Sequence, residues 1–179
     1  MKKILVAALV AFGLMASTAS ATSIKEKHVG YTNMDIAGST VNAFNFGYNV
    51  MFPVFTGTVN GLSLGFETNV NLGAIDSDTS YGEDSDSSSF VYGFNGGLLL
   101  GYTYGDIGIK TGVAGDYLNV GTSAYLMGLL YSVSTEYHFT KKFGVELSYK
   151  TGTMHLNSFS DKPDFNRDQF GLNLTWTFK

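Results

Sequence analysis

The last strand-length stretch of the chain limits what the rest can become. Phe170, Leu172, Leu174, Trp176 and Phe178 alternate without a break against Gln169, Gly171, Asn173, Thr175 and Thr177. That is the period of a strand with one apolar and one polar face. In water the apolar face would have to be buried against a second layer, whereas in hydrocarbon it can point outward. The remaining strands decide between the two.

The same alternation recurs in six further segments. Phe44, Phe46, Tyr48, Val50 and Phe52 share a face within 41–55, as do Leu62, Leu64, Phe66, Val70 and Leu72 within 62–72. Between Phe90 and Tyr104 the apolar face carries Phe90, Tyr92, Phe94, Leu98, Leu100, Tyr102 and Tyr104. Ile107, Ile109, Thr111 and Val113 follow, then Leu129, Tyr131, Val133, Tyr137 and Phe139, then Phe143, Val145, Leu147 and Tyr149. An eighth strand between about Glu26 and Ile36 has no unique phase. Either Gly30, Thr32, Met34 and Ile36 share the apolar face or Val29, Tyr31, Asn33 and Asp35 do. The first phase is expected, because it keeps Asp35 out of hydrocarbon.

The opposite face is dominated by Gly, Ser and Asn, and charged residues are only 15% of the chain. A soluble barrel needs Lys and Glu on its outer surface; small uncharged residues suit an enclosed lumen. Backbone groups in hydrocarbon must bond one another, which strands achieve only as a closed sheet. Eight tilted strands of about ten residues are enough to close and to cross. The expected fold is therefore all-β, an eight-stranded antiparallel transmembrane β-barrel with up-and-down meander order.

Connections at 37–40, 56–60, 105–106 and 140–142 are short, and those at 73–89, 115–123 and 155–168 are expected to be long. Short turns on one side and longer loops on the other are the habit of outer-membrane barrels, although 37–40 is short on the long side. Phe52, Tyr102, Tyr104, Tyr137, Phe139 and Phe143, together with Trp176 and Phe178, fall on apolar positions near the short turns or the C-terminus. Such rings form an aromatic girdle at the headgroup level.

The first residues read as an address. Lys2 and Lys3 precede an apolar run from Ile4 to Met15, and Ala19-Ser20-Ala21 offers a small-x-small cleavage pattern. Residues 1–21 are expected to be a signal peptide and 22–179 the barrel domain. The run is shorter than the ~20 residues needed to span a bilayer as a helix. Lacking cysteine, the chain offers no disulfide and no thiolate ligand. A net charge of -4 gives no basic surface for nucleic acid. No cofactor and no metal site are expected.

The chain as read so far resembles the small eight-stranded outer-membrane β-barrel proteins of Gram-negative bacteria, the group that includes the OmpA transmembrane domain and the OmpX and Ail-like proteins. Gln169, Gly171, Leu174, Trp176 and Phe178 resemble the signal by which the barrel assembly machinery recognises its clients, with Lys179 trailing where an aromatic is usual. The resemblance implies outer-membrane residence with both termini periplasmic. Its implied partners are outer-membrane lipid and lipopolysaccharide, and during biogenesis the assembly machinery and periplasmic chaperones.

The inward charges Glu67, Lys110, Glu136, Glu146 and Lys150 are expected to pair inside the lumen, since an unpaired buried charge is costly. Lys110 with Glu136 is the first expected pair, and Lys150 with Glu146 or Glu67 the second. Five carboxylates between Asp76 and Asp86 suggest a calcium loop, but Gly82 is the seventh residue from Asp76 where an EF-hand needs the sixth. A solvated surface loop is the better reading. Some barrels of the resembled group are lipid A deacylases or acyltransferases with His and Ser. Here His155 is followed two residues later by Asn157 rather than serine, with Ser158 and Asp161 beyond, and His138 lies at the other end. The expected role is non-enzymatic: structural or surface-interaction, adhesin-like, through loops 73–89, 115–123 and 155–168. The alternative is a narrow porin-like water or ion channel through the polar lumen.

Overall fold

The computed structural model describes residues 23–36, 38–54, 61–75, 89–120, 124–156 and 164–178. The expected signal segment, the acidic run from Asp76 to Asp86, Ser158, Asp161 and Lys179 lie outside the described residues. Eight strands follow one another: β1 (Ile24–Ile36), β2 (Ser39–Pro53), β3 (Leu62–Ile75), β4 (Ser89–Tyr104), β5 (Ile107–Val120), β6 (Ala124–His138), β7 (Phe143–Leu156) and β8 (Asp164–Phe178). Each pairs antiparallel with its sequence neighbour, and β8 pairs antiparallel with β1 to close the barrel. Closure leaves no edge with unpaired backbone groups.

Side-chain alternation sorts every strand into an outer and an inner row. Phe44, Phe94, Leu98, Leu129, Tyr131, Leu147, Phe170, Leu172 and Leu174 are exposed on the outside. Asn45, Asn49, Asn69, Asn71, Asn95 and Asn173 are buried inside. Gly105, with φ 59°, supplies the left-handed position of the β4–β5 turn, and Gly38, with φ 83°, that of the β1–β2 turn.

At the end opposite the termini the inner row turns apolar. Met34, Ile36, Val41, Ala43, Val91, Leu118, Leu126, Leu130 and Met154 form one buried cluster there. Below it, towards the termini, the lumen is mostly polar, with Leu99 and Met51 among its few apolar members.

Two expectations fail. In β1 it is Thr32, Met34 and Ile36 that are buried, while Tyr31 and Asp35 are exposed, so the phase is the reverse of the one expected. Asp35 does not sit at mid-depth. It stands one residue from the end of β1, where its Oδ1 accepts the Gly38 backbone N–H at 2.9 Å. An acidic residue at the rim caps a turn at little cost, and the hydrocarbon argument does not reach it. The second failure concerns the bounds of loops 73–89, 115–123 and 155–168, since β3 continues to Ile75 and β4 begins at Ser89. β5 continues to Val120, β6 begins at Ala124, β7 runs to Leu156 and β8 starts at Asp164. Asp116 and Arg167 fall within those expected loops. Both are buried inward, each supplying the other's counter-charge, so alternation carries on through them.

Candidate functional site

The lumen holds the chain's charged chemistry in three successive depths. Nearest the termini, Lys110 on β5 is the hub. Its ammonium lies 2.6 Å from Glu26 Oε1, 3.1 Å from Glu136 Oε2 and 2.9 Å from Glu146 Oε2. Glu136 and Glu146 are direct cross-strand partners on β6 and β7. Two carboxylates so placed repel unless a cation stands between them, and Lys110 fills that position. Their other oxygens are occupied: Thr175 donates its hydroxyl to Glu136 Oε1 at 2.5 Å, and Asn173 Nδ2 donates to Glu146 Oε1 at 3.1 Å.

At the middle depth Lys150 on β7 donates to both oxygens of Glu67 on β3 at 2.9 Å, and to Asn95 Oδ1 at 3.2 Å. Asn69 ties in His28, whose Nε2 lies 2.6 Å from Asn69 Oδ1, while Asn69 Nδ2 donates to Glu67 Oε2 at 3.0 Å. Nearest the long loops, Arg167 on β8 bonds Asp116 on β5 and donates to Gln169 Oε1 at 2.7 Å. Met34 Sδ packs against the same guanidinium.

These ties join walls that face each other. In a ring of eight, β1 lies opposite β5 and β3 opposite β7. Glu26–Lys110 and Glu67–Lys150 are therefore diametric struts, set at right angles in successive depths. Between the charged depths the remaining cavity is about 20 Å³, room for about one water.

Of the residues expected from the sequence, Lys110 meets Glu136 and Lys150 meets Glu67, whereas Glu146 goes to Lys110 rather than to Lys150. Glu26, Asp116 and Arg167 were missed. Glu26 was lost with the wrong phase of β1, and the other two with the loops. The girdle residues Tyr102, Tyr104, Tyr137, Phe139 and Phe143 are exposed at the terminus end, with Phe52 half-buried against Phe66. Among the residues expected to signal assembly, Leu174 faces out. Gln169 faces in, held by Arg167, and Gly171 faces in beside Ser148, whose hydroxyl would have to turn away from any added Cβ. Trp176 and Phe178 are half-buried, and the Lys27 ammonium lies 5.1 Å from the Phe178 ring centroid.

At the other end His155 Nδ1 lies 2.5 Å from Asp164 Oδ1, both exposed. Among the described residues no Ser or Thr hydroxyl is bonded to that imidazole.

No family description and no curated protein sequence matches the chain. Solved structures do. Ail, the attachment invasion locus protein of Yersinia pestis, solved with the heparin analogue sucrose octasulfate, superposes with a TM-score of 0.59 at 10% identity, covering 88% of this chain and 100% of Ail. Neisserial surface protein A gives 0.52 at 10% identity over 87% and 97%. The outer membrane enzyme PagL gives 0.50 at 13% identity over 85% and 97%. A closed eight-stranded meander, apolar outside and polar within, superposing on Ail along its whole length, gives this chain the fold of the small outer-membrane β-barrels, with no subfamily assigned.

Proposed function

We propose that the chain is an integral outer-membrane barrel with both termini in the periplasm, non-enzymatic, whose work is structural and adhesin-like and is done by its external loops. The observation that carries this reading is the filled lumen. An apolar plug closes one end and three charged depths brace the rest. A barrel whose passage is blocked in this way leaves its external loops and rim to meet partners outside the cell. The exposed apolar rows are at home among acyl chains, because water would leave them uncovered.

Two features bear on the partner. The 76–86 segment carries five carboxylates, so it favours a basic or neutral partner, or one bridged through divalent cations to lipopolysaccharide. A polyanion such as the sulfated sugar seen on Ail does not suit it. The His155–Asp164 pair resembles the base and orienter of a hydrolase, but among the described residues no hydroxyl stands bonded to it as a nucleophile would.

Planar-bilayer recording of the folded chain tests the closed lumen. No steady single-channel current is expected, and removal of residues 77–86 is expected to abolish binding to host-cell surface or matrix. Steady unitary currents, with binding indifferent to the deletion, would favour the porin-like channel.

A further inference from the structure

The lumen mouth at the terminus end opens into a cavity of about 560 Å³, walled in part by Glu26, Glu136, His138, Lys110 and Thr177. Two strands bring metal-binding atoms to it. Glu26 stands on β1, while Glu136 and His138 are two residues apart on β6 and so share its inner face. One ligand atom from each can be chosen so that all lie within 4.8 Å of one another.

Spacing and charge both point to a cation. His138 Nε2 lies 3.4 Å from Glu136 Oε2, long for a strong hydrogen bond. Two atoms each ~2.0–2.1 Å from a tetrahedral zinc ion stand about 3.3–3.4 Å apart, so this pair already has the edge length of such a site. The local charge is also unbalanced. Among the described residues Lys110 is the one ammonium bonded to Glu26, Glu136 and Glu146, so three almost wholly buried carboxylates share a single lysine. A divalent ion offsets that imbalance. Thr177 Oγ1, on the same cavity wall, is buried and has no partner among the described residues, so it stands ready for a water bound to the ion.

We propose that Glu26, Glu136 and His138 form a binding site for a divalent transition-metal ion of the zinc class at the terminus-side mouth of the lumen. One imidazole and two carboxylate oxygens make a borderline donor set that suits zinc, with a fourth position open to the cavity. When the ion takes Glu26 and Glu136, Lys110 retains Glu146 as its counter-charge.

Calorimetric titration of zinc alone into the folded chain in detergent micelles, near neutral pH, tests the site. One ion per chain is expected. The His138→Ala variant should bind about tenfold or more weakly, since loss of a ligand matters at least as much as loss of its supporting partner. Its imidazole side chain is 22% exposed, so this variant keeps the barrel intact where Glu136→Gln could fail to fold. His155→Ala, at the opposite end, is the control and should bind as wild type does. Absence of zinc binding, affinity unchanged in His138→Ala, or affinity lost in His155→Ala would each overturn the assignment.

Discussion

Arg167→Met is expected to lower the unfolding free energy of the barrel by about 3–5 kcal/mol, as removing one partner of a buried ion pair does. Arg167 and Asp116 both have side chains 0% exposed, and Asp116 Oδ1 has no partner among the described residues. Without the guanidinium the Asp116 carboxylate would stand unpaired just beneath an apolar plug containing Met34 and Leu118. The same setting forecasts a rescue. The double variant Arg167→Met with Asp116→Leu removes both charges and continues the plug, and should recover most of the loss, because apolar replacements of a buried pair are often neutral or stabilising. Urea unfolding in lipid vesicles measures both. A single variant as stable as wild type would show that the pair is not enclosed.

Lys110→Met should cost a similar ~3–5 kcal/mol, for a different reason. This substitution leaves three buried carboxylates together, two of them facing each other across the β6–β7 ladder. It also breaks the strut between opposite walls. Lys141→Met, in the exposed β6–β7 turn, should stay within about 0.5 kcal/mol of wild type. If the two variants behave alike, Lys110 does not hold the lumen together. Adding Glu146→Gln to Lys110→Met should restore part of the stability, since it relieves the cross-strand repulsion.

Much of this was legible before the fold was known, and each failure has a physical cause. β4 could be read directly because Phe90 to Tyr104 alternates large apolar residues with Gly and Asn, so a slip of one position would put rings in the lumen. Lys110 and Glu136 could be matched because β5 and β6 are neighbours. β1 misled because its two faces are alike near the terminus end: Lys25 and Lys27 point one way, Glu26 and His28 the other. With charge on both faces the pattern carries no phase, and Asp35, which seemed to settle it, belongs to the rim. Asp116 and Arg167 fall inside stretches expected to be loops, and the strands continue through them because each buried charge is the other's counter-ion. The diametric struts could not have been read from spacing, because β1 meets β5 and β3 meets β7 only after the ring closes. The gathering of Glu26 with Glu136 and His138 depends on the same closure.

Everything above requires that the exposed apolar rows meet acyl chains and that the small polar row is shut inside. The most direct measurement places one fluorophore on the outer row at mid-strand. In a Trp176→Phe background, which removes the chain's single tryptophan, Leu129→Trp puts an indole at a position that is 56% exposed and flanked by Tyr131 on the same face. With the chain folded into vesicles of lipids brominated along the acyl chain, its emission should be blue-shifted and strongly quenched, while iodide in the buffer should have little effect. Emission at the wavelength of tryptophan in water, quenched by iodide and indifferent to bromine, would mean that the barrel's greasy side does not face lipid.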